Sequence, residues 1–255
     1  MTINRFLLPI AAAALSVLTP IAAQAAQFVI TYRGTFLSGG DNTGAFGAQG
    51  TDFTNAAFTA IYFLNTSTVG ATTRTDGLTF SEILGGTRAN TVSPVSASLT
   101  INGFTRAING LASGEARLQN SDPGLSDSMY HGVAEENSNT TSFTSNYMYH
   151  TVEDGSEGSL IPSVNWSSSS WGSSFIYNPS PNNNTGYFQF STRNNTTGND
   201  EEYAQGLMNI ESVTVASVGA IPEPATWLMM IVGFGMVGAS IRSTRRQSSG
   251  ALASV

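Results

Sequence analysis

Lysine and cysteine are missing from the 255 residues, and charge of either sign is scarce: ten arginines and 17 acids make up 11% of the chain. Globular domains usually run near 25% charged. Without cysteine there is no disulfide, no thiolate-held zinc or iron–sulfur cluster, and no thiol nucleophile. A net charge of −7 and a pI near 4.7 argue against a phosphate-binding surface, which needs clustered basic residues. Histidine is limited to His131 and His150. There is no Gly-x-Ser-x-Gly, no Walker loop and no dinucleotide fingerprint. Nor is there an amphipathic helical pattern longer than two turns in the middle of the chain. What is present is a polar chain rich in Gly, Ser, Thr and Asn, long enough for one substantial core.

The two ends carry the long apolar runs. Arg5 is followed by a mostly apolar stretch from Phe6 to Ile21 and then by Ala23-Gln24-Ala25. Charged start, apolar middle and small-residue site are the layout of a secretory signal peptide over 1–25, cut before Ala26. At the other end, Ala225 to Ile241 is free of charge and is closed by Arg242, Arg245 and Arg246. As a helix this run is about 25 Å long, at the low end of membrane-spanning lengths. Arginines beyond it belong on the cytoplasmic side, which leaves the preceding domain outside. Trp227 falls at the start of the span, where an interfacial aromatic is expected.

Just ahead of the span stands Pro222-Glu223-Pro224, followed by Ala225-Thr226-Trp227, then Met229-Met230-Ile231-Val232-Gly233-Phe234-Gly235 and the arginines. This order of parts resembles the PEP-CTERM sorting signal, most closely its alphaproteobacterial form, over 221–246; a short polar tail, 247–255, follows. The resemblance implies recognition by an exosortase, a membrane transpeptidase-like enzyme, in Gram-negative bacteria that make exopolysaccharide. It implies an inner-membrane intermediate, then release or re-anchoring at the cell surface or outside. The motif has a physical logic: two prolines lock φ and remove two donors, so the segment stays extended, with Glu223 as its single charge.

Between the ends, 26–220 reads as a secreted domain with a β pattern. Phe28, Ile30 and Tyr32 alternate, as do Phe58, Ala60, Tyr62 and Leu64, the run from Val95 to Ile101, Tyr187 to Ser191, and Ile210 to Val218. Period-two runs bounded by Gly, Asn, Asp and Ser indicate half-buried strands. Asn102-Gly103 and Asn109-Gly110 each sit between apolar residues, a tight-turn signal. The expected architecture is mainly β, an antiparallel β-sandwich of jelly-roll-like type. The stretch from Thr35 to Ala60, with Gly40-Asp41-Asn42-Thr43-Gly44-Ala45-Phe46-Gly47, is similar to the start of other PEP-CTERM ectodomains.

Three groups of residues offer chemistry. Asp41, Asn42 and Asp52 are hard oxygen ligands suited to calcium, though an Asx/Gly turn cluster needs the same residues. Of the 37 residues from Ser163 to Asn199, 24 are Ser, Thr, Asn or Gly, with aromatics interleaved. Trp166, Trp171 and Tyr177 are the candidate glycan contacts there, because rings stack on sugars while amides and hydroxyls bond them; the competing expectation is that the aromatics are core. Finally, Met129-Tyr130-His131-Gly132-Val133 echoes Met148-Tyr149-His150-Thr151-Val152. On strands, Met, His and Val share one face and Tyr the other. Paired as a hairpin, the two phrases bring the histidines together, as structural or surface residues or, less well supported by their spacing, as a metal or catalytic pair.

The reading is an exported, non-enzymatic surface or matrix protein with no metal or other cofactor required. Its partners are signal peptidase and exosortase, and exopolysaccharide; the membrane is reached through the C-terminal helix, and nucleic acid is not a partner. A carbohydrate-binding module is the alternative. A polysaccharide hydrolase is weaker, since nothing in the sequence selects a carboxylate pair.

Overall fold

The computed structural model describes residues 27–76, 79–120, 127–154, 161, 163–166, 174–177, 184–198 and 200–218. The chain divides into two units, 1–218 and 219–255. The leader and the whole C-terminal tail, with Pro222, Glu223, Pro224, Trp227, Arg242, Arg245 and Arg246, lie outside the described residues.

Thirteen strands run in order as β1 (Gln27–Asp41), β2 (Thr51–Asp52), β3 (Ala57–Asn65), β4 (Thr72–Asp76), β5 (Phe80–Gly85), β6 (Val95–Ile101) and β7 (Phe104–Ile108). They continue as β8 (Ser113–Gln119), β9 (Asp127–Ser138), β10 (Ser142–Asp154), β11 (Ser174–Tyr177), β12 (Asn184–Asn194) and β13 (Asp200–Val218). The helical content among the described residues is one 3₁₀ turn, Thr87–Ala89. All registered strand pairs are antiparallel, and the hydrogen-bonded order is β4-β5-β8-β9-β10-β12-β13-β1-β3-β6-β7, with β11 also on β13 and β2 on β1.

The β class follows the period-two reading. The separate sheets of the expected sandwich do not: among the described residues, every strand joins one continuous sheet that curls on itself. Curling brings β6 against β8 and β9, and sets β1 and β3 opposite β9 and β10. Bulges supply the bend. The β1–β13 register shifts between Arg33 and Gly34 and again between Phe36 and Ser38, and such extra residues kink a strand and increase its twist.

Alternation decides what is inside. Phe28, Ile30, Tyr32 and Phe36 of β1, Phe58 to Leu64 of β3, and Val95 to Ile101 of β6 each bury every second residue. Phe46, between β1 and β2, and Phe53, just after β2, join Phe36, Phe188 and Phe190 in an aromatic cluster with centroids 5.4–6.1 Å apart. Gly206 makes room for it: a Cβ there would sit 2.6 Å from the Phe36 ring.

The two Asn-Gly pairs behave differently. Asn102 and Gly103 have φ of 52° and 82°, and Ile101 pairs with Phe104. This is the two-residue primed turn expected for Asn-Gly. Asn109-Gly110 makes no hairpin, because β7 pairs with β6 while β8 pairs with β5 and β9. Gly110 serves close approach instead: a Cβ would meet Ser93 Oγ and Val95 O at 2.3 Å.

Candidate functional site

The repeated histidine phrases form the β9–β10 hairpin, and His131 stands directly opposite His150. Asn139 shapes the turn by accepting from the backbone N–H of Thr141 at 2.9 Å and of Ser142 at 2.7 Å. Met129, His131, Val133, Met148, His150 and Val152 all point into the core, as the alternation predicts. Across the core, Tyr32 of β1 and Tyr62 of β3 meet them. The Tyr32 hydroxyl lies 2.6 Å from His131 Nδ1 and the Tyr62 hydroxyl 2.8 Å from His150 Nδ1. Tyr32 also stacks on His150 at 4.7 Å and 18°.

All four side chains are fully buried. Burial pushes both histidines down to about 3 and both tyrosine hydroxyls well above their ordinary value. Every member of the quartet is therefore neutral at ordinary pH. The Nε2 atoms of His131 and His150 are buried without a hydrogen-bond partner. A buried unmatched polar group costs about 1–3 kcal/mol, so the quartet holds the two walls in register at some expense of stability. With Nδ1 engaged and Nε2 sealed, both rings are packed as part of the core. Among the described residues, no group of three His, Asp or Glu side chains gathers around a metal-sized space.

Asp41, also fully buried, closes the loop after β1. Its Oδ1 accepts from the N–H of Thr43 (2.9 Å), the hydroxyl of Thr43 (2.7 Å) and the N–H of Gly44 (2.8 Å), and its Oδ2 from the N–H of Phe46 (2.7 Å). Burial alone would raise its pKa, but the Phe46 amide, the Thr43 hydroxyl and amide and the Ala45 amide outweigh it, and the carboxyl sits below its ordinary value. Asp52 is exposed and accepts from the Thr54 amide and hydroxyl. Both acids thus face donors, the arrangement of an Asx/Gly turn. Asp41→Ala should cost about 3 kcal/mol or more, since hydrogen bonds to a charged group contribute about 1.5–3 kcal/mol each. Calorimetry on both forms measures this, and adding EDTA to the wild type should leave its melting temperature unchanged.

Trp166 is not a surface plate. It is 4% exposed and packs on Phe28 at 5.2 Å and on His131 at 5.9 Å. It belongs to the core, which corrects its assignment as a glycan contact. Trp171 lies outside the described residues, and Tyr177 is described only as backbone paired with Val213.

The exposed aromatic surface lies elsewhere, on the outer side of the histidine strands. Where His131 and His150 turn in, Tyr130 and Tyr149 turn out. Tyr149 pairs directly with Tyr187 of β12, and Tyr187 with Leu207 of β13. Ring centroids are 6.2 Å apart for Tyr130–Tyr149, 6.1 Å for Tyr149–Tyr187 and 5.7 Å for Tyr147–Tyr187, with interplanar angles of 24°, 33° and 36°. The guanidinium of Arg117 covers Tyr130 at 4.8 Å. Tyr147 donates to Gln189 Oε1 at 3.1 Å, and the single proton of the Tyr187 hydroxyl is shared between Gln189 Oε1 at 3.1 Å and Gln205 Oε1 at 2.9 Å. Burial, with the neighbouring Glu115, pushes Tyr130 up to about 12; burial, with Tyr147 beside it, does the same for Tyr187. Gly132 lets the Tyr130 phenol lie across the strand, since a Cβ there would be 2.4 Å from its hydroxyl. A cleft of about 340 Å³ opens beside these rings, bordered by Arg88, Glu115, Glu136 and Tyr147.

The sequence reading missed this surface. Its signal was present in the two repeated phrases, whose tyrosines fall on the face opposite the histidines, but their partner Tyr187 stands 38 residues beyond Tyr149.

No curated protein matches the chain. The family model for the PEP-CTERM protein-sorting motif matches residues 220–246. The chain therefore ends in a PEP-CTERM sorting motif, the mark of an exported bacterial protein that is membrane-anchored and then processed by an exosortase.

Proposed function

We propose that the chain is a non-enzymatic surface or matrix protein of an exopolysaccharide-producing Gram-negative bacterium, exported by a cleaved leader and sorted by an exosortase. The observation that carries this reading is the sorting motif at 220–246. A structural role is supported by the sealed histidines. Glu115, at the tyrosine cleft, is hydrogen-bonded to Glu82; burial raises it, Arg117 lowers it and Glu82 raises it, with a net upward shift. The other carboxylate bordering the cleft, Glu136, is paired with Arg88.

The reading is tested by intact mass. Exported protein in its own host should begin at Ala26 and lack the segment from about Trp227 onward. Glu223→Ala or Pro224→Ala should accumulate uncut protein in the membrane fraction. Deleting Arg242, Arg245 and Arg246 should weaken retention, so that uncut protein escapes or is degraded. Mature protein that still carries Arg245 and Arg246 in an exosortase-bearing host would show the tail to be a plain anchor.

A further inference from the structure

We infer that the outer tyrosine face of β9, β10 and β12 is a binding platform for an uncharged polysaccharide chain. This inference is independent of how the tail is processed. Tyr130, Tyr149 and Tyr187 follow one another across three neighbouring strands, each centroid about 6 Å from the next. The row crosses the strands and is long enough for a short run of sugar residues. Tyr149 is 37% exposed and Leu207, beyond Tyr187, 39%. Arg117 covers Tyr130, which leaves Tyr149 and Tyr187 as the rings to stack on the C–H faces of pyranoses, which are apolar on the face and polar at the rim.

The polar groups are arranged to match. The oxygens of Gln189 and Gln205 accept from the tyrosine hydroxyls, which holds the rings in place before any ligand arrives. Fixing the rings in advance reduces the entropy lost on binding.

Charge selects the class of glycan. The ionic groups around the cleft are paired with each other, Arg88 with Glu136 and Arg117 with Glu115. Among the described residues around the cleft, both arginines thus stand beside a carboxylate, and the chain as a whole carries −7. An uncharged chain loses nothing to that repulsion, whereas a polyanion does. A protein partner is the less fitting occupant, because Leu207 is the one aliphatic side chain beside the rings among the exposed large hydrophobics of this row.

Affinity electrophoresis of the exported protein tests the inference, in gels containing hydroxyethyl cellulose, galactomannan or dextran as neutral chains and alginate as the polyanion. Retardation is expected in at least one neutral gel. Tyr149→Ala with Tyr187→Ala should weaken that binding at least tenfold, while Phe104→Ser, at the distant β6–β7 turn, should leave it unchanged. Circular dichroism confirms the fold, and Tyr149→Ser alone serves if the double variant is unstable. No retardation in any neutral gel would overturn the inference. So would binding to alginate alone, or neutral binding that survives loss of both rings. Self-association that disappears in the tyrosine variants without sugar binding would overturn it in favour of a contact between copies of this chain.

Discussion

The exported protein should lose most of its stability between pH 7 and pH 4. His131 and His150 are held down to about 3 in the folded state by burial, with the His131–His150 proximity adding to the shift of His150, against about 6.5 in the unfolded chain. Between those values the unfolded state binds more protons, so stability rises with pH. The contribution is fully present above about 6.5 and is lost as the pH falls toward 3, at up to about 1.4 kcal/mol per pH unit for each histidine. Over two pH units the pair removes about 5 kcal/mol, comparable with the whole stability of a marginal domain. Among the described residues, no carboxylate contributes to either shift, and the rings against the pair are Tyr32, Tyr62, Phe58 and Trp166, with His131 also acting on His150. Asp41, held below its ordinary value, adds acid sensitivity only at lower pH. Urea melts across the pH range measure the slope. The combination His131→Leu, His150→Leu, Tyr32→Phe and Tyr62→Phe should flatten it between pH 4.5 and 7. A wild-type profile already flat over that window would mean the histidines are not sealed.

Gly34→Ala should abolish folding or cost at least about 4 kcal/mol. The largest single-site losses come from a few mechanisms, steric overpacking among them. At Gly34 the obstacle is backbone. A Cβ would stand 1.9 Å from the carbonyl oxygen of Asn209 and 3.1 Å from the amide nitrogen of Glu211. This is the bulge where Gly34 of β1 pairs with Ile210 of β13. Neither strand can give way without breaking the ladder at the centre of the sheet. Gly40→Ala is the control, since its Cβ would come no closer than 3.4 Å to Thr51 O. Soluble yield and melting temperature should separate the two. Equal behaviour would show that the bulge relaxes.

Inside-versus-outside was legible wherever alternation was strict. Phe28, Ile30 and Tyr32, or Val95 to Ile101, are read correctly from period two alone, and so is the face that both histidines share with Met129, Val133, Met148 and Val152. Partnership at long range was not. Tyr32 and His131 are 99 residues apart, and Tyr62 and His150 are 88 apart. Nothing local in either segment states that they meet, because the meeting depends on where the sheet curls. The same reason hid the tyrosine row. Trp166 misled for a different reason: Ser and Asn neighbours mark a loop, yet a loop can insert one large ring to cap a core, here against Phe28. Trp227 and the arginines were legible as a sorting signal because that signal is linear and needs no folded partner.

The place where β13 ends has a mechanical consequence. Val218, its last residue, pairs with Gln27, and along its length β13 is bonded to β1 on one side and to β12 and β11 on the other. The chain leaves the domain from an interior strand of the sheet, not from its edges at β4 or β7. Tension drawn through the residues after Val218 runs along the strand, while its hydrogen bonds lie across it. The pull is therefore resisted as shear by two ladders at once, rather than peeling one strand away bond by bond. A load applied to Val218 along β13 would therefore have to break both ladders together before the strand came free.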